Sequence, residues 1–187
     1  MSVQRYRLGR RQEGVDRTRS AILSAARHLV AEHGPDSSLG KVAARAGVSR
    51  ITVYNQFGSK AGLIAALTSE ARPTAAPAAP GAALEPRDDL RRRIAQACAA
   101  WAADPVLYRQ LQRQGAWADG ESGADHALAE SLAAADELRP GCSIKEAEDV
   151  IGMVASFAAF DRLHKDGRRS APAVAEILMR LVAQLLR

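Results

Sequence analysis

Four side chains able to bond to base edges stand close together between Ser49 and Phe57: Arg50, Thr52, Asn55 and Gln56. The arginine fork matches the two acceptors of guanine, and an amide side chain matches the donor and acceptor that adenine presents in the major groove. Threonine adds a hydroxyl that suits a phosphate or a base. No other stretch gathers chemistry so densely. His28, His33, His126 and His164 lack metal-ligand spacing, and Cys98 and Cys142 stand far apart with no CxxC pattern, so neither a metal nor a disulfide is expected. Gly58-Ser-Lys-Ala-Gly62 has the wrong order for a phosphate loop, and no strand precedes it. No Ser/His/Asp set can be assembled. The expectation is a protein with no catalytic residues and no cofactor.

Those four polar residues need a short helix that is held rigidly and leaves one face bare. Ser38 can cap a helix to Ala46, Gly47 ends it, and a second short helix runs from about Ser49 to Phe57, where Gly58 stops it. Helix, tight glycine turn and short helix is the recipe of a helix-turn-helix. Val42, Ala43, Ala46, Val48 and Val53 supply small apolar groups that let the pair pack closely. An earlier helix, Arg17–His33, carries Ile22, Leu23, Ala26, Leu29 and Val30 at helical spacing, and Gly34-Pro35 closes it. Ser59 opens a further helix to about Arg72. The charge agrees: residues 1–60 carry a formal +7, and residues 61–187 carry −2. A basic first third suits a polyanion partner.

At these residues the sequence resembles the DNA-binding signature of the TetR (tetracycline repressor-like) family. The resemblance runs over about residues 15–70 and rests on Ala43, Ala46-Gly47-Val48-Ser49, Thr52-Val53-Tyr54, Phe57, Ser59-Lys60 and Leu63. It implies that Tyr54 and Lys60 contact phosphates and that Ser49 and Thr52 face the DNA. It also makes Arg50 the base reader, with Asn55 and Gln56 touching bases or phosphates. Gly40 stands where the family often has a side chain that reaches DNA; Lys41 is the nearby substitute. The ring of Phe57 is expected in the core. That of Tyr54 is expected to pack while its hydroxyl points to phosphate.

The whole chain reads as all-α: an N-terminal three-helix helix-turn-helix domain, then a C-terminal helical bundle that dimerises. The expected divisions are a flexible basic arm over 1–15, the DNA-binding domain with its connecting helix over 16–72, an Ala/Pro-rich linker over 73–87, and an effector-binding and dimerisation domain over 88–187. Arg5, Arg7, Arg10 and Arg11 of the arm either reach the DNA or form a solvated tail. In the second domain, expected helices cover 88–103, 104–118, 125–138, 143–165 and 172–187. Trp101, Tyr108, Trp117, Phe157 and Phe160 cluster in a chain that is only 4% aromatic, and Met153 shares the expected helical face of the two phenylalanines. These six either fill the core or line a pocket for a small hydrophobic or amphipathic effector. The helix at Ser143–Lys165 is apolar on two sides, which points to a homodimer. No apolar run approaches the ~18–20 residues of a membrane span, and no secretion signal is seen, so the expected location is the cytoplasm. The function implied is a repressor released from a near-palindromic operator by an effector; the alternative is an effector-independent DNA-binding architectural or global regulator.

Overall fold

Stretches rich in alanine, leucine and arginine, punctuated by glycine and capping serines, become ten α-helices among the described residues of the computed structural model. It describes residues 3–34, 36–72, 85–113, 115 and 123–187, with side chains from residue 13 onward. The helices are α1 (Val3–His33), α2 (Leu39–Ala46), α3 (Arg50–Phe57), α4 (Lys60–Ala71), α5 (Pro86–Ala103), α6 (Pro105–Arg113), α7 (Gly123–Ala134), α8 (Ile144–Val154), α9 (Phe157–Asp161) and α10 (Ala171–Val182). No strand forms among the described residues; Leu138 and Leu186 make one isolated antiparallel bridge. Two compact units result: residues 1–72 with 109–117, and residues 73–108 with 118–187.

In the first unit α1 supplies the spine. Ile22, Ala26, Leu29 and Val30 recur at helical spacing and are all buried. α2 and α4 pack on α1, and α3 packs on both α2 and α4. Val42 and Ala43 of α2, Val53 of α3, and Leu63 and Leu67 of α4 complete the core. α1 begins at Val3, inside the segment read as an arm. The segment has no proline, and its two glycines, Gly9 and Gly14, are carried inside the helix; Arg, Gln and Glu favour it even where no apolar period calls for packing.

In the second unit α5 runs through the centre, with Leu90, Ile94, Cys98 and Trp101 facing inward, and α10 and α7 pack on it. Pro86 opens α5 at the first turn, so the linker reading ends before it; residues 73–84 lie outside those described. The chain end is tied to the turn after α7: the Arg139 N–H donates to the Leu185 carbonyl (2.9 Å) and the Arg187 N–H to that of Glu137 (2.9 Å).

The helix expected over 143–165 is broken. α8 stops at Val154, and Ser156 caps α9: its hydroxyl accepts from the Ala159 N–H (3.1 Å) and donates to the Met153 carbonyl (2.7 Å). A serine side chain that bonds the backbone in this way competes with the helix ladder. A π-helical turn, Arg162–Asp166, follows α9. The break moves Met153 off the face of Phe157 and Phe160: it is 66% exposed while both phenylalanines are fully buried. Its assignment to an aromatic pocket is therefore corrected. The last helix is also shorter than expected, ending at Val182 in a 3-10 turn over Ala183–Leu185.

Candidate nucleic-acid interface

Two short helices can present a rigid face only if both ends of each are fixed, and local bonds do this. Ser38 caps α2 by accepting from the Lys41 N–H (3.3 Å). Gly47 ends α2 at φ 67°, where its N–H reaches the carbonyls of Ala43 and Ala44, and the Val48 N–H also bonds Ala43 (3.0 Å). A left-handed residue here favours glycine, because a Cβ would be strained. Ser49 caps α3, accepting from the Thr52 N–H (3.1 Å) while its hydroxyl shares a hydrogen bond with the Thr52 hydroxyl (2.8 Å). Ser59 caps α4 through the Gly62 N–H (2.9 Å). Gly62 brings α4 so close to the end of α3 that a Cβ there would lie 2.1 Å from the Phe57 carbonyl oxygen.

Longer-range bonds set α2 and α3 against α1. Arg45 donates both terminal nitrogens to Glu32, at 2.7 and 2.8 Å. This paired hydrogen bonding holds the Glu32 carboxyl below its usual range and raises Arg45 in turn. The Arg19 guanidinium lies over the Phe57 ring, 4.7 Å from its centre. Phe57 is thus half-buried under a cation rather than wholly in the core.

With Val53 fully buried, the opposite face of α3 is open. Arg50 and Asn55 are exposed, and Tyr54 is 61% exposed, more of its ring reaching solvent than expected. Thr52 and Gln56 are half-buried at the edges of this face. Ser49, as the cap, and Lys41, on the first turn of α2, are exposed beside it. Lys60 is half-buried at the start of α4, its ammonium 3.3 Å from a carboxylate oxygen of Asp36. All eight candidate residues therefore belong to the α2–α4 segment of the first unit. Reading the sequence missed three features of it: Ile51, 72% exposed on the open face; the Glu32–Arg45 pair; and the Asp36 partner of Lys60. The exposure of Ile51 could have been inferred from Val53 taking the core position. The two ion pairs leave no mark in local spacing.

In the second unit, Trp101, Tyr108, Phe157 and Phe160 come together, each no more than 3% exposed. Trp101 meets Phe157 edge-on at 6.1 Å, and Tyr108 lies 5.4 Å from Phe157. His164 stacks on Phe160 at 4.8 Å. The Trp101 indole N–H is buried without an acceptor. Trp117 lies outside the described residues. A separate open depression of about 400 Å³, lined by Asp125, Lys145, Glu148, Asp149, Gly152, Met153 and Ser156, lies on α7 and α8. Its charges are paired: Arg93 with Asp125, His126 with Glu148, and Lys145 with Asp149. Burial pushes the Asp125 carboxyl up against the pull of Arg93, and the bond to Glu148 raises His126. Among the described residues no group of His, Cys, Asp and Glu could hold a metal ion, and no helix is long and apolar enough to cross a membrane.

Residues 22–67 match the family model described as bacterial regulatory proteins, tetR family. No curated protein matches the chain by sequence. Among solved structures, the chain is similar to a protein studied for the molecular basis for control of antibiotic production by bacterial hormones. That pair shares 26% identity and a TM-score of 0.65, over 91% of this chain and 97% of the other. It is also similar to NalD, the secondary repressor of the MexAB-OprM multidrug efflux pump in Pseudomonas aeruginosa (22% identity, TM-score 0.65, 92% of this chain and 97% of that one). A third likeness is to TylP, a TetR regulator from Streptomyces fradiae (19% identity, TM-score 0.67, 90% and 86%). At under 25% identity, the last two likenesses speak for the fold alone.

Proposed function

We propose that this chain, a member of the tetR family of bacterial regulatory proteins through its residues 22–67, is a non-enzymatic transcriptional repressor of the bacterial cytoplasm. It binds a near-palindromic duplex operator as a homodimer and is released by a small-molecule effector. The observation that carries the reading is the capped α2–Gly47–α3 pair, which turns Arg50, Tyr54 and Asn55 to solvent while Val53 anchors the helix. In this reading Arg50 is the base reader, because residues at the start of a recognition helix meet base edges and an arginine fork fits guanine. Lys60, Lys41 and the Tyr54 hydroxyl take phosphates. Ser49 and Thr52 hold the first turn of α3 and add hydroxyls toward the backbone. Asn55 and Gln56 extend the contact along the groove.

One such helix reads few base pairs, so a two-fold pair is needed. Met153 on α8 and Leu181 on α10 support one, at 66% and 57% exposed. An isologous pairing would cover them, and its symmetry requires an operator with matching half-sites. The aromatic cluster around Trp101 supports an effector site, since an effector carrying an acceptor would satisfy the bare indole N–H. The neighbour linked to bacterial hormones and the repressor NalD fit a ligand-released repressor. The second reading, effector-independent regulation, draws on the same cluster: its rings already pack to 5.4–6.2 Å and leave almost no exposed surface.

Selection of bound duplexes from a random pool tests the proposal. The expected outcome is a near-palindrome whose half-sites lie about one helical turn, ~34–36 Å, apart. Failure to enrich any duplex would overturn it. A rise in melting temperature with one member of a small-molecule panel would favour the effector-released form over the alternative.

A further inference from the structure

Ile51 is the most exposed large apolar side chain among the described residues, at 72%. It lies in the first turn of α3, directly after Arg50 and two residues after the Ser49 cap. The neighbouring Val53 is fully buried, so the core of this two-turn helix is already supplied. Ile51 adds nothing to that core, and a β-branched residue slightly weakens a helix. It shares its face with Tyr54 and Asn55, three and four residues on, both exposed. This strip is therefore polar at its start, aliphatic next, and mixed beyond.

A major groove offers polar base edges and one apolar feature, the 5-methyl group of thymine. Resting on the DNA-binding reading above, we infer that Ile51 is a specificity determinant that packs on the methyl group of a thymine in each half-site. That thymine neighbours the base read by Arg50. The surface is continuous with Arg50 and Tyr54, and no described side chain covers Ile51. A methyl contact also explains why an aliphatic residue sits in a helix turn otherwise given to donors and acceptors.

The test uses the full chain and its selected duplex, with thymines replaced one at a time by deoxyuridine. Deoxyuridine keeps every hydrogen-bonding group and lacks only the methyl. At one thymine per half-site the replacement should weaken wild-type binding about fourfold, equivalent to the ~0.8 kcal/mol of one buried methyl. Ile51→Ala should bind the thymine and deoxyuridine duplexes within about 1.5-fold of each other, while Ile51→Val keeps most of the discrimination. Ile51 is exposed, so both variants should melt with the wild type. If every replacement leaves a well-bound duplex unchanged, the Ile51 inference fails and the DNA-binding reading survives. If wild type and Ile51→Ala lose affinity equally, the methyl acts through DNA shape and the inference also fails. If no duplex is enriched, both fail.

Discussion

Removing the negative charge of Asp36 should strengthen DNA binding. The Asp36 carboxylate lies 3.3 Å from the Lys60 ammonium, with the two side chains 85% and 43% exposed. To reach a phosphate, Lys60 must leave or share this partner, and Asp36 itself repels the backbone. Exposed pairs of this kind are worth ~0.2–1 kcal/mol. Asp36→Asn should therefore raise affinity by about 1.5- to fivefold per half-site, and by the square of that for a dimer on two half-sites. Fluorescence anisotropy on the selected duplex, run between about 50 and 200 mM salt, measures it; the gain should shrink toward the higher salt as screening grows. In a Lys60→Ala background most of the gain should vanish, while Lys60→Ala alone weakens all sequences alike and lowers the salt slope by about one unit. The stability of Asp36→Asn should match the wild type within about 0.5 kcal/mol. Unchanged or weaker binding at low salt would refute the placing of Lys60 at a phosphate.

Gly62→Ala should destabilise the first unit by ~1–3 kcal/mol, seen as a lower melting temperature, because its Cβ would meet the Phe57 carbonyl at 2.1 Å. Full stability would show that the approach of α3 and α4 relaxes freely. Leu181→Glu should convert the dimer to monomer in sedimentation without unfolding it, since Leu181 is 57% exposed in the single chain. A wild type that sediments as a monomer at micromolar concentration would contradict the dimer. Burial pushes the Cys98 thiol up to about 11, and the side chain is 1% exposed, so a thiol reagent at neutral pH should spare it until the chain unfolds. Half-buried Cys142 should react first; rapid native labelling of Cys98 would point to easy opening of α5.

The parts of this fold that were legible in advance are those written in neighbouring residues. Ser38, Gly47, Ser49, Gly58 and Ser59 mark helix ends by side-chain capping or by left-handed backbone, and each acts within three or four positions. That is why the α2–α3 pair could be placed from sequence. The break at Ser156 was not legible, because it falls in an apolar run without proline whose one glycine, Gly152, lies inside α8 rather than at the break. A serine is compatible with a helix, and only its two backbone bonds show that it acts as a cap. Met153 was misplaced as a direct result. The Arg45–Glu32 and Lys60–Asp36 pairs span 13 and 24 residues, beyond any local period. Ile51 is a different case: once Val53 is given to the core, a residue two positions earlier on the eight-residue helix must face outward, a step the reading of the sequence did not take.

The central claim is that α3 reads bases through its first turn, and repeating the pool selection with Arg50→Ala tests it most directly. The variant should still enrich duplexes but lose its preference at one base pair in each half-site, with a discrimination loss of ~1–3 kcal/mol there and little change elsewhere. Recovery of the same sites with the same preference at every position would contradict the claim.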